Sequence, residues 1–250
     1  MQKDEDGILY ADLRFYGQSI REIINPLHNN KFPYEKAHLD PDLDRDRLEC
    51  RKQDWKRTFG QQGKAQAYLE NREVGEGDLF LFFGWFRRTR YENGQLQYVL
   101  PKKGGKDLHV IFGWLQVGEI RDVHKNQDQD EFPNWLHYHP HIVNRDRRGY
   151  TNNTIYIAAD HLMLDGLPVR GAGTFPRFKP SLQLTAPEED SKSHWCLPKW
   201  LCNEYIEGDW QCPKDHLPFD SGGRGQEFVF NMPDSPEAIE WIKTLFKNCP

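Results

Sequence analysis

Three histidines alternate along the segment WLHYHPHI, at His137, His139 and His141. In an extended chain, residues two apart share one face, so the three imidazoles would come within reach of a single cation or phosphate. Such a set suits zinc with one coordination position left for water, the layout of a hydrolytic or group-transfer site. Pro140 opposes this reading, because it restricts His139 and cannot donate to a sheet. Histidines that hydrogen-bond locally on a polar loop are the plain alternative. Further upstream, His38 and Asp40, with Asp42 two residues on, supply the imidazole and carboxylate that general-base chemistry or metal ligation needs. The same Asp-Pro sequence also starts turns.

A second group of residues suits binding rather than reaction. Trp85 and Trp114 each follow a glycine, and glycine beside tryptophan leaves room for a flat ligand to reach the backbone. Extruded bases are held by aromatic stacking and by hydrogen bonds to their edges, although tryptophans in strands also simply fill cores. Arg224, Gln226 and Glu227 follow the turn Ser221-Gly222-Gly223. Exposed backbone N–H groups, a forked guanidinium and an amide there could hold phosphate or a base edge, or a salt bridge could pin the chain. Gln62 belongs to FGQQG, a glycine-rich turn opening a helix, where N–H groups receive an anion. Arg87, Arg88, Arg90, Lys102, Lys103 and Lys106 form the one dense basic patch, which also fits a solvated hairpin edge. His194, Cys196, Cys202, Cys212 and His216 match no standard zinc spacing.

These residues must be positioned by strands. Leu79 to Phe83, after a Gly-Asp turn, is too short for a helix and too continuously apolar for a solvent-facing strand, so it reads as a buried strand. His109 to Val117 reads as a second, with a hairpin turn at Glu92-Asn93-Gly94 between them. Asn153 to Asp160 and Phe228 to Phe230 read as further strands. Helices are expected after Ser19 and Glu22, which form a capping-box pattern, over Lys64 to Leu69, and after Asp234, where a capping box with Glu237 precedes an apolar face at Ala238, Ile239, Ile242, Leu245 and Phe246. Residues 162–218 carry seven prolines and should drape over the core as turns and short strands, closing a site. The expected class is α+β, a mixed, mainly antiparallel curved sheet or small β-barrel with flanking helices, in one domain over residues 1–250.

At 250 residues the chain can bury a core without staples. Aromatics make up 13% of it against 37% for all hydrophobic residues, and mean hydropathy is −0.84, so the core must be built largely from rings. No apolar run approaches a membrane span and the first residues lack a signal-peptide pattern. The five scattered cysteines read as reduced thiols, and the expected location is cytoplasmic. A net charge of −5 excludes a wholly basic nucleic-acid coat and leaves room for a local cleft.

The paired strands, with Gly77-Asp78 before one and Val117-Gly118-Glu119-Ile120 ending the other, resemble the central hairpin of PUA-like domains such as EVE and ASCH. These are small β-barrels around a nucleic-acid cleft. A wider likeness runs through HLDPDL, FGQQGKAQAYLEN, GDLFLFFGWFR, HVIFGWLQVGEI, YHPHI, NTIYIA and GRGQEFV. Together these segments resemble the nucleotide modification associated domain 3 family, prokaryotic and phage proteins found in the genomic company of DNA-base modification systems. Members of that family begin with an extra strand and a glycine-rich segment before the region matching DGILYADLRF. In this sequence MQKDED stands before that region, so the resemblance does not carry that strand, or phosphate binding by its loop, over to these residues. Three functions follow as expectations. The first is recognition of a modified base or nucleotide in nucleic acid, in a cleft lined by Trp85 and Trp114. The second is a nucleotide- or base-modifying enzyme using the histidines and Asp40, with a divalent metal such as zinc. The third is a non-catalytic subunit among modification-system proteins.

Overall fold

The structure is a computed structural model that describes residues 7–49, 51–146, 151–164, 168–201, 208–222, 227–232 and 235–247. In chain order its elements are β1 (Ile8–Leu9), β2 (Arg14–Phe15), β3 (Gln18–Ser19), α1 (Ile20–Ile24), β4 (Lys36–Ala37), β5 (Thr58–Gln62), α2 (Gly63–Asn71), β6 (Leu79–Arg87), β7 (Thr89–Glu92), β8 (Gln95–Tyr98), β9 (Asp107–Asp122), α3 (Pro140–Val143), β10 (Asn153–Ala158), β11 (Ala172–Thr174), β12 (His194–Pro198), β13 (His216–Asp220) and α4 (Pro236–Phe246). Strands outweigh helices and the fold is α+β, with a curled antiparallel sheet forming half a barrel.

The spine of that sheet is β9. Along one edge it pairs with β6, from Leu79 opposite Gln116 to Arg87 opposite Asp107. Its other edge is shared, with β11 against Gly113 to Leu115 and β10 against Val117 to Asp122. β5 then pairs with β10, and the chain at Asp42 continues the sheet by exchanging backbone hydrogen bonds of 2.8 and 3.0 Å with Thr58. The unbroken apolar run of β6 has a simple cause. Leu79, Leu81 and Phe83 pack on one face with Trp195 and α4, while Phe80 and Phe82 pack on the other with Phe59 and Tyr156. Both faces of the strand are covered, so alternation has nothing to distinguish.

The two core strands are longer than expected, and the Asn93-Gly94 turn joins β7 to β8 with both residues at positive φ, as a tight hairpin requires. Two helix starts differ from the sequence reading. Ser19 caps α1 without a side-chain hydrogen bond, so no capping box forms there. At α4 the cap is Ser235, whose hydroxyl accepts from Ala238 N, with Pro236 in the first turn, while Asp234 lies outside the described residues. Phe228 to Phe230 is in no strand, yet Phe228 and Phe230 still point to one cluster and Val229 to another.

Parts of the proline-rich stretch, with Phe219 just after it, build core. Leu182, Leu184, Trp195, Leu197 and Phe219 are buried with Ile242, Leu245 and Phe246 of α4 against Val110, Ile111 and Trp114. Burying each such side chain contributes about 1.5–3 kcal/mol. Cys196 and Cys212 form a disulfide across the β12–β13 region, which corrects the reading of all five cysteines as thiols. Cys50, Cys202 and Cys249 lie outside the described residues. Among the described residues no helix is long and apolar enough to cross a membrane.

Candidate functional site: a histidine and aspartate centre

Asp40 reaches the sheet because the following residues bind to its edge. The pairing of Asp42 with Thr58 brings the Asp40 carboxylate over β5, where Gly60 N donates to its Oδ1 at 2.8 Å. Asp42 itself is anchored by the guanidinium of Arg51, with contacts of 2.5 and 2.6 Å. The Tyr138 hydroxyl donates to Asp42 Oδ2 at 2.6 Å and also receives hydrogen bonds from Arg51 and Trp55. This buried network ties residues 38–42 to the histidine segment. Burial and the neighbouring Asp42 charge push the Tyr138 hydroxyl upward, so it stays protonated as a donor.

The histidine segment is not extended, which overturns the expectation of three imidazoles on one strand face. Pro140 occupies the first position of α3, where its missing N–H costs nothing, and His139 is the cap. His139 Nδ1 accepts from His141 N at 3.2 Å, so the short helix folds both rings to the same side. His137 turns away and its Nε2 contacts Phe132 O at 2.8 Å, which removes it from any shared set. In place of His137 the third imidazole is His38.

These groups surround one carboxylate. His141 Nε2 stands 3.2 Å from Asp40 Oδ2, His38 Nε2 3.8 Å from the same oxygen, and His139 Nε2 3.9 Å from Oδ1. His139, His141 and Asp40 have side chains no more than 5% exposed, whereas that of His38 is 36% exposed and forms the solvent boundary. Burial opposes ionisation of Asp40, but hydrogen bonds from His141 and His38, with His139 close by, outweigh it and hold the carboxyl well below the usual range. Burial pulls His139 down to about 3 despite Asp40, so that ring is neutral at pH 7. Gly60 makes room for the rings. A Cβ there would stand 2.5 Å from His141 Cδ2 and 2.8 Å from His139 Cε1.

Behind His141, Asn153 fixes the ring. Asn153 Nδ2 donates to His141 O at 3.0 Å, so its Oδ1 is the atom facing His141 Nδ1 at 2.5 Å, and Nδ1 carries the proton. Sequence reasoning missed Asn153 and Arg51 as supports of the site, since nothing in their local spacing signals a role. It read Gly60 as part of a glycine-rich anion-binding turn in FGQQG, whereas Thr58–Gln62 is strand β5 and Gly60 serves by leaving room for the two rings.

The remaining expected residues are elsewhere. Trp114 is 4% exposed, donates to Arg170 O at 2.9 Å and packs on Phe175 and Phe246. The space beside the glycines is filled by the protein itself: a Cβ at Gly113 would meet Leu43, and one at Gly173 would meet the Trp114 ring. Trp85 is 62% exposed at the far end of β6, with Lys192 Nζ 4.7 Å above its ring. The two tryptophans therefore line no common cleft. Glu227 accepts from Gln61 Nε2 at 3.1 Å, on the other face of β5 from Gly60, and Gln62 is the cap of α2 without a side-chain cap bond. Arg224 and Gln226 lie outside the described residues. His194 stacks on Trp210 and contacts Glu189 at 2.8 Å, and with Cys196 and Cys212 bonded to each other this region offers no zinc set among the described residues. In the basic patch Arg87 is paired with Asp107, Arg90 with Glu92 and Lys106 with Asp190.

Fold and site together define an α+β half-barrel protein that gathers imidazoles around one buried carboxylate at the edge of its sheet. The chain matches the nucleotide modification associated domain 3 family over residues 2–231, and it belongs to that family. The family description associates it with nucleotide modification systems. No curated protein and no solved structure matches it.

Proposed function

We propose that the chain is an enzyme of nucleotide or base modification whose chemistry is run by His38, Asp40, His139 and His141. The observation that carries this reading is the convergence of three imidazoles from two distant segments on one buried, ionised carboxylate. A fold gains little stability from that arrangement, because each buried polar group must be desolvated. In the proposed mechanism His38, at the solvent boundary, takes a proton from the substrate and gives it to the leaving group or to solvent, while the Asp40 carboxylate, held by Gly60 N, stabilises the imidazolium that forms. His139 stays neutral and shapes the wall behind Asp40. In turnover assays on nucleoside phosphates and oligonucleotides, His38→Ala and Asp40→Asn should lose about 10²–10⁴-fold in rate. His137→Ala should match the parent. Full turnover in the first two variants, or no turnover by the parent on either substrate class, would overturn the proposal.

Recognition of a modified base is the second reading, and exposed Trp85 beneath Lys192 favours it, with unpaired Arg88, Lys102 and Lys103 on the adjoining hairpin among the described residues. A stacking platform flanked by cations suits single-stranded nucleic acid. Titration of the same protein with oligonucleotides carrying and lacking modified bases separates the readings, since Trp85→Ala would then weaken binding and leave turnover unchanged.

A further inference from the structure

The contact between His141 and Asp40 can be held in two ways. The Nδ1 proton of His141 is committed to Asn153 Oδ1, and Nε2 stands 3.2 Å from Asp40 Oδ2. A doubly protonated ring donates to the carboxylate there, whereas a neutral ring presents a lone pair, and a cation between the two atoms then takes the place of that proton.

We propose that His38, Asp40 and His141 bind one divalent first-row transition metal ion, with His38 Nε2, Asp40 Oδ2 and His141 Nε2 as ligands. The candidate ligand atoms of these residues all lie within 4.8 Å of one another. Ligands bound at about 2.0–2.2 Å stand roughly 3 Å apart. Asp40 and His141 already have that spacing, and His38, at the surface, 3.8 Å from Asp40 Oδ2 and within 4.8 Å of the His141 ligand atom, closes by about 1–2 Å to complete the set.

The surroundings support the same assignment. A ligating histidine nearly always donates its other ring N–H to an oxygen, as His141 does to Asn153. Gly60 N holds Asp40 Oδ1, leaving Oδ2 to the ion. His139 is not a ligand in this arrangement. Its Nδ1 accepts from His141 N, so the proton is on Nε2, which has no hydrogen-bond partner among the described residues and is fully buried facing Asp40 Oδ1.

Two imidazoles and one carboxylate suit Zn²⁺, Co²⁺ or Fe²⁺ over Mg²⁺, which prefers an all-oxygen shell. Three protein ligands leave positions on the His38 side for water or for a phosphate or base atom. This inference deepens the enzyme reading of the same centre and changes one role in it: with the ion bound, His38 holds the ion and a water on the ion would supply the base, whereas the metal-free centre keeps His38 as the base, so the two can fail separately.

The test is titration of chelator-treated full-length protein with Co²⁺, followed by visible absorption, and with Zn²⁺ by calorimetry, in excess Mg²⁺. One equivalent should bind, with Co²⁺ bands of a mixed nitrogen and oxygen site. His38→Ala, at the surface and so least disruptive to folding, and Asp40→Asn should each weaken binding at least about 10²-fold. His137→Ala should bind like the parent. Absence of stoichiometric binding, displacement by Mg²⁺, or unchanged affinity in folded His38→Ala, judged by its circular dichroism, would overturn the proposal.

Discussion

At the scale of single residues, the centre depends on one atom that is missing. Gly60 lacks the Cβ that would press to 2.5 Å from His141 and 2.8 Å from His139. Neither ring can retreat easily, because His141 is tied to Asn153 and His139 is fully enclosed. Gly60→Ala should therefore cost about 1–3 kcal/mol in urea denaturation, as overpacking does, and should displace both imidazoles. Histidine ring NMR signals that keep their positions in a fully stable variant would contradict the account. The histidines and Asp40 were legible in the sequence as reactive residue types, and so was the warning from Pro140. Their grouping was not. Alternation assumes an extended chain, and one proline at a helix start was enough to turn His137 outward and let His38 take its place.

Among elements, the segment holding Asp40 has almost no secondary structure of its own and relies on the Arg51, Asp42, Tyr138 and Trp55 network to stay on the sheet edge. Asp42 is fully buried and Arg51 nearly so. Removing one partner strands the other charge, a loss of about 3–5 kcal/mol in such settings. Arg51→Met should show a loss of that order by chemical denaturation, with turnover or ligand binding at the centre falling in the fraction still folded. Tyr138→Phe, which removes a donor and leaves the ion pair, should cost about 1 kcal/mol. Equal stability of parent and Arg51→Met would contradict the role given to the network. Strands β6 and β9 were readable because both are continuously apolar, and the β7–β8 turn because Asn-Gly chemistry is local. Trp114 illustrates the limit. Its place on a strand could be read, but which face is lined by ligand and which by protein depends on α4 and Phe175, far along the chain.

For the whole molecule, several histidines are held neutral by their surroundings. Burial lowers His109 and His216 from 6.5 and brings His139 from 6.5 to about 3. Below pH about 6.5 the unfolded chain takes up protons that the folded chain refuses, so stability falls as the pH falls. For enclosed His139 the slope approaches about 1.4 kcal/mol per pH unit down to its folded value. Asp40, held low, adds a loss below its ordinary 3.8. Thermal unfolding of metal-free protein between pH 7 and 4.5 should show a falling Tm, and His139→Gln should flatten the curve. A profile flat over that range in the parent would contradict the neutral, buried assignment. The late position of the apolar partners of β9 has a separate consequence, for the order of synthesis. A growing chain holds every residue of the histidine and aspartate centre once Asn153 has emerged. The partners that cover Val110, Ile111 and Trp114, from Leu162 to Phe246, are still to be made. The nascent protein thus passes through an interval with every residue of the centre present and this apolar cluster uncovered, a state whose exposed surface favours aggregation.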